Sequence, residues 1–144
     1  MGSTFSKIYI HLVFSTKNRE PVIHPDYEKR LTAYITQIAE KHDLKLLVMN
    51  GTQNHVHLLV VIPPSVPISE AVKHIKGGSS NWLNKNFFEA KDFKFRWQKG
   101  YGAFSVNESM VPATIRYINQ QKKHHNNMSY EQELDAILDK HGLN

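Results

Sequence analysis

Hydrophobic and polar residues alternate where the chain first becomes regular. Ile8, Ile10, Leu12 and Phe14 fall on one side of an extended backbone and Tyr9, His11 and Val13 on the other, so residues 5–15 read as a strand. The polar run Lys17-Asn18-Arg19-Glu20-Pro21 then leads to a helix predicted from about Asp26, an N-cap after Pro25, to about His42. Leu31, Tyr34, Ile35 and Ile38 recur at helical spacing and give it one buried stripe. Leu44–Asn50 reads as a second strand, Gly51-Thr52-Gln53-Asn54 as a turn and His55–Ile62 as a third strand, which makes an antiparallel hairpin. After Pro63-Pro64-Ser65-Val66-Pro67, Ser69 is read as the cap of a second helix carrying Ala71, Val72, Ile75, Trp82 and Leu83.

Phe93–Val106, rich in aromatic and basic residues, reads as a last strand bent at Gly100 and Gly102. A third helix is predicted from Met110 to His125, with Ser109 as cap and Pro112 in its first turn. A fourth, acidic helix covers Ser129–His141, opened in capping-box form by Ser129 and Gln132 and stopped by Gly142. The order strand, helix, strand, strand, helix, strand predicts an α+β, ferredoxin-like fold. In it a four-stranded antiparallel sheet (βαββαβ) carries two helices on one face. The expected organisation is a single domain over 1–144, with a core at 5–107 and additional C-terminal helices at 108–144. The second face of the sheet is expected to be free for a site or a partner.

Composition changes this picture little. Hydrophobic residues make up 40% of the 144 and charged residues 22%, ordinary for a globular protein. A formal charge of +5 favours a polyanionic partner only weakly. The absence of cysteine excludes disulfides, zinc ribbons and thiol catalysis. No apolar run approaches the roughly 20 residues of a membrane span. Met1-Gly2-Ser3-Thr4 lacks the layout of a signal peptide, so a cytoplasmic location is expected.

The chemistry concentrates at the entrance of the third strand. His55 and His57, two positions apart, stand together on one face while Val56, Leu58 and Val60 turn toward the core. Two adjacent imidazoles are half of a metal site. The best further donor is Gln121, four residues after Tyr117, so that on a helix both share a face. A divalent ion held by His55, His57 and Gln121 would place the Tyr117 oxygen near a polarised phosphate, an arrangement suited to phosphoryl transfer. Taken singly, each residue is better explained as packing or surface; the combination carries the reading.

The chain resembles the single-tyrosine, HUH-type transposases of small bacterial and archaeal insertion sequences and their relatives associated with repeated palindromes. The resemblance runs through His11-Leu12-Val13-Phe14-Ser15-Thr16-Lys17, the segment Asn54 to Pro64 with His55-Val56-His57, and Trp97-Gln98-Lys99-Gly100-Tyr101 with Phe104-Ser105-Val106. It ends with Arg116-Tyr117-Ile118 and Gln121. It implies a ferredoxin-like fold and Mg²⁺ or Mn²⁺ bound by His55, His57 and Gln121, with Tyr117 as nucleophile. Single-stranded DNA bearing a hairpin would be cleaved to a 5′-phosphotyrosine and a free 3′-OH that later rejoins. It further implies a homodimer, often with the tyrosine helix of one subunit completing the partner's site, although relatives linked to repeated palindromes can be monomers.

One local difference is Asn54, where family members often carry an acidic residue before the histidine pair. Imidazole donors lean toward manganese rather than magnesium. Tyr101 is a rival nucleophile, disfavoured because no ligand follows it at helical spacing. His124 and His125 could extend the metal site, but at a helix C-terminus they are read in preference as complementing the dipole. Trp82, Trp97 and Phe104 are candidates for stacking on unpaired bases. Gly77-Gly78-Ser79-Ser80 is expected to interrupt the second helix, each glycine being about 1 kcal/mol unfavourable there, and is read as close helix–sheet packing or a bend in preference to room for a nucleic-acid backbone. Lys17, Arg19, Lys73, Lys76, Arg96, Lys99 and Arg116 are candidates for phosphate contacts. Two other classes compete: a non-catalytic hairpin-binding module, and a mononuclear metal hydrolase, ranked last because no carboxylate is read beside the histidine pair.

Overall fold

The computed structural model describes residues 2–144. Its sheet is built from β1 (Ile8–Ser15), β2 (Lys45–Gly51), β3 (His55–Ile62) and β4 (Gly102–Val106), in the order β2-β3-β1-β4 with every pair antiparallel. Helices α1 (Pro25–Lys41) and α2 (Ile68–Leu83) cover one face, which is the ferredoxin-like arrangement. The alternation of β1 and β3 explains it: Ile10, Leu12, Phe14, Val56, Leu58 and Val60 pack against Leu31 and Ile35 of α1 and Val72 and Ile75 of α2.

Helix starts differ from the expectation. His24, not Asp26, caps α1, its ring accepting the Asp26 N–H at 3.1 Å, because Pro25 already holds the first helical position. Asp26 instead complements the dipole from the first turn. Ser69 lies inside α2, whose cap position is Pro67 and has no side-chain cap bond. The paired glycines do not interrupt α2. At Gly78 a Cβ would lie 2.8 Å from Ile38 Cδ1, so that glycine lets α2 approach α1.

The last strand is much shorter than predicted. Phe95 and Trp97 alternate like strand residues, but they plug the end of the two-helix core: each ring meets its neighbour edge-on at 4.8 Å, Phe95 on Trp97 and Trp97 on Phe14. The Trp97 indole donates to Ser79 Oγ, Phe95 N–H to Asn84 Oδ1, and Lys76 Nζ to the carbonyls of Gln98 and Gly100. Side chains thus satisfy backbone that a sheet would otherwise pair.

The second face of the sheet is not free. Helices α3 (Val111–Asn119), α4 (Gln121–His124) and α5 (Tyr130–Lys140) cover it. Tyr9 and Leu59 pack on Ile118, while Val13 and Phe104 pack on Tyr130, Leu134 and Ile137. These apolar sheet residues could not be left in water next to His11, His55 and His57, and the chain's own downstream helices bury them.

The β2–β3 hairpin is closed tightly: Thr52 N–H donates to the His55 carbonyl at 3.0 Å, and a Cβ at Gly51 would lie 2.1 Å from that same oxygen. Gly51→Ala is therefore expected to displace the start of β3 and cost about 3 kcal/mol, read as a lower urea midpoint. An unchanged midpoint would mean that the turn is built differently.

Candidate active site

β3 delivers His55 and His57 to the face covered by α3, α4 and α5, and neither has exposed surface. Burial of this kind demands a partner for every ring nitrogen. His55 Nδ1 lies 2.9 Å from Asn54 Oδ1, which can only accept, and 2.8 Å from Thr52 Oγ1. The Nδ1 proton is thereby accounted for, and Nε2 turns a lone pair inward. His57 is held by another ring, its Nδ1 hydrogen-bonded to His11 Nε2 at 2.8 Å and its Nε2 pointing inward to Glu133. Burial, and then His57, lowers the His11 pKa to about 3, so His11 is a neutral partner at ordinary pH.

The tyrosine and glutamine come from α3 and α4, predicted as one continuous helix. The helix breaks at Gln120 (φ −100°, ψ 14°), for a non-local reason. Asn50, opposite His57 in the hairpin, donates its amide to the carbonyls of Ile118 (3.0 Å) and Asn119 (3.1 Å), ending α3 there. Lys122 then donates to Asn50 Oδ1 and Glu28 Oε1, both at 2.7 Å. A bulge in β2, where Leu46 faces Val60 but Val48 faces Leu59, lets Leu46 serve the two-helix core while Asn50 faces α3. Gln121 is left with no exposed surface, its Oε1 3.1 Å from His55 Nε2.

A residue not anticipated from the sequence sits at the centre. Glu133 of α5, 2% exposed, brings Oε1 to 2.9 Å from His57 Nε2 and 3.3 Å from His55 Nε2. His125 Nε2 donates to the same oxygen at 3.0 Å. Glu133 Oε2 accepts from Gln121 Nε2 at 2.8 Å and from the Tyr117 hydroxyl. The expectation that no carboxylate accompanies the histidine pair is thus corrected. So is the dipole role given to His125, which points into the site. The available signal was Glu133's place in the stripe Tyr130, Glu133, Leu134, Ile137: one carboxylate on an otherwise apolar helix face.

The electrostatics follow. Burial pushes the Glu133 carboxyl up, but hydrogen bonds from His55 and His57, the field of His57 and the Tyr117 hydroxyl outweigh it and hold it well below the usual carboxylate range. Burial, with the Glu133 anion beside it, pushes the Tyr117 phenol well above its usual range. Burial lowers His57, which Glu133 partly offsets. His55 Nε2 lies within 3.3 Å of both Gln121 Oε1 and Glu133 Oε1, and His57 Nε2 lies 2.9 Å from Glu133 Oε1; two imidazole nitrogens, an amide oxygen and a carboxylate oxygen gathered in this way are a donor set that fits a divalent cation. Between α3 and α5 a cavity of about 420 Å³, lined by His11, Tyr117, His124, Lys140 and His141, leads to the tyrosine.

Other candidates fall elsewhere. Tyr101 is exposed at 39% and forms no part of this cluster. Trp97 and Phe104 are core residues, and Trp82 stacks on Tyr34. Arg19 pairs with Glu131 and covers the Tyr130 ring, and Lys76 is engaged with the 98–100 backbone. Lys73 is on α2, away from the histidine face, whereas Lys17, Arg96, Lys99 and Arg116 are exposed.

A profile of the family described as "Transposase IS200 like" matches residues 4–121. The chain belongs to this transposase family. The transposases of insertion sequence element IS200 from Salmonella typhimurium and Salmonella typhi are each 27% identical to it over 103 residues, covering 69% of this chain and 67% of theirs. The ISDra2 transposase TnpA of Deinococcus radiodurans is 26% identical over 114 residues, 77% of this chain and 81% of that one. Among solved structures, a Deinococcus radiodurans protein assigned as a transposase superposes with a TM-score of 0.68 at 26% identity, over 84% of this chain and 95% of the other. A REP-associated tyrosine transposase bound to a REP hairpin gives 0.64 at 13% identity, over 87% and 73% of the two chains, a likeness of fold. The family match ends at Gln121, so Glu133 and all of α5 lie beyond it.

Asn50→Ala removes the donor that ends α3 and a Lys122 acceptor; a loss of about 1–2 kcal/mol in folding stability is expected by urea denaturation followed by tryptophan fluorescence.

Proposed function

We propose that this IS200-like transposase cleaves and rejoins single-stranded DNA at hairpin-bearing element ends, with Tyr117 as nucleophile beside a divalent cation held by His55, His57 and Gln121. The observation that carries the reading is that, within one chain, Gln121 Oε1 reaches His55 Nε2 while the Tyr117 hydroxyl meets the same Glu133 carboxylate that contacts both histidines. When bound, Mg²⁺ or Mn²⁺ would polarise the scissile phosphate and favour phenolate over phenol beside it.

The chain's own residues do the rest. Asn54 and Thr52 hold His55 with its Nε2 turned inward, and His11 fixes the orientation of the His57 ring. Asn54 occupies the place of the expected acidic residue and still holds His55. Glu133 Oε2 accepts the Tyr117 hydrogen bond and aims the phenolic oxygen. In the reaction that oxygen attacks phosphorus, the P–O3′ bond breaks, and the departing 3′ oxygen leaves as a hydroxyl while the 5′ phosphate stays on tyrosine. Rejoining is the reverse attack by a 3′-OH.

For DNA we favour Lys17, Arg96, Lys99 and Arg116, which are exposed, as the phosphate contacts. Lys17 N–H donates to the Arg96 carbonyl, which sets those two basic residues side by side. The expected assembly is a homodimer in which each subunit uses its own tyrosine, since Tyr117 already meets Glu133 beside the His57 of its own chain. Among the described residues no helix is long and apolar enough to cross a membrane; the expected site of action is the cytoplasm, where the DNA is. Glu133 lends some weight to a metal hydrolase that releases its product freely, and a denaturing gel separates the two.

Incubated with Mn²⁺ and a hairpin-bearing single strand, the protein is expected to yield a covalent adduct that survives denaturation. Tyr117→Phe and chelation of the metal should each abolish the adduct, with hairpin binding retained in the variant. An adduct persisting in Tyr117→Phe would transfer the role to another residue, and cleavage without adduct would favour the hydrolase. Arg96→Ala should weaken hairpin binding and reduce the slope of log affinity against log salt by about 1.

A further inference from the structure

We infer that Glu133 is a fourth ligand of the cation, so that α5, outside the stretch shared with the family, completes the metal site. The inference rests on the proposal that His55, His57 and Gln121 bind a divalent ion, and adds a residue that neither the histidine motif nor the tyrosine helix contains.

Geometry is the first argument. Ligands about 2.1 Å from a common ion and at right angles to one another sit about 3 Å apart. Glu133 Oε1 lies 2.9 Å from His57 Nε2 and 3.3 Å from His55 Nε2, and Gln121 Oε1 lies 3.1 Å from His55 Nε2. The second argument is the tautomer of His55. Asn54 Oδ1 can only accept and so takes the Nδ1 proton, and the neutral ring then turns an Nε2 lone pair toward Glu133 Oε1. Facing lone pairs repel unless a cation lies between them.

The third argument is cost. Glu133 stands on a face otherwise made of Tyr130, Leu134 and Ile137, with 2% of its surface exposed. A carboxylate there is expensive without full compensation. Tyr117, Gln121 and His125 supply hydrogen bonds, leaving Oε1 directed at the histidine pair. His125 then acts as a positioning residue, fixing the carboxylate from the side away from β3. Two imidazoles, an amide oxygen and a carboxylate suit Mn²⁺ better than Mg²⁺, and the anion offsets half of the dication's charge.

The test is metal binding without DNA. Metal-free protein is titrated with Mn²⁺, free ion being followed by its electron paramagnetic resonance signal, and separately with Co²⁺, followed by visible absorption. Glu133→Gln keeps the shape, and Glu133→Leu matches the apolar stripe and so preserves folding, checked by circular dichroism and thermal melting. Both should weaken Mn²⁺ binding by about tenfold or more and alter the Co²⁺ spectrum, and His57→Ala should remove the site. Unchanged or tighter binding in both Glu133 variants, with binding lost in His57→Ala, would overturn the inference and leave the three-ligand site standing. No Mn²⁺ binding by the unaltered protein would overturn both.

Discussion

Two imidazoles without exposed surface, on the face of β3 turned away from the two-helix core, impose the requirement that shapes the second half of the chain. A ring nitrogen out of water must have a partner, and four nitrogens need four. β1 provides one through His11, the hairpin turn provides another through Asn54 and Thr52, and the inward pair is answered by α4 and α5. The C-terminal helices therefore do more than close an apolar sheet face. Their packing through Ile118, Tyr130 and Ile137 is the means by which polar groups are brought to those two nitrogens.

The tyrosine depends on the same requirement at one remove. Its helix is stopped by Asn50, a residue of β2, and tied down by Lys122 to both Asn50 and Glu28 of α1. Leu46 and Asn50 would share a face in a regular strand; the bulge between Leu46 and Val48 lets them serve opposite sides of the sheet. Tyr117 is thus positioned by the backbone geometry of a strand distant from it in sequence.

Much of this was legible in the sequence because it is local. The period of two in β1 and β3 placed the core and both histidines, and a four-residue spacing linked Tyr117 to Gln121. What escaped was set by distant contacts. Phe95 and Trp97 alternate as strand residues do, yet only a single antiparallel bridge, Trp97 with Thr16, continues the sheet, and their side chains are fixed by Phe14 and Ser79. Nothing between Tyr117 and His125 breaks a helix by propensity; the break at Gln120 comes from Asn50, whose amide bonds the carbonyl of Ile118 across 68 residues. Glu133 was hidden among the acidic residues of α5, where a carboxylate is ordinarily solvated, and only its register with Tyr130, Leu134 and Ile137 betrays it.

The span of these contacts bears on how the molecule comes together. The β2–β3 ledge closes across a turn of a few residues, whereas the groups that meet its histidines arrive from 66 and 76 positions downstream. Loop-closure entropy makes the ledge early and its roof late. With the ledge formed first, the paired imidazoles would line an unfinished groove, and if the proposed cation is captured at that stage it would recruit the missing helices, coupling metal binding to maturation.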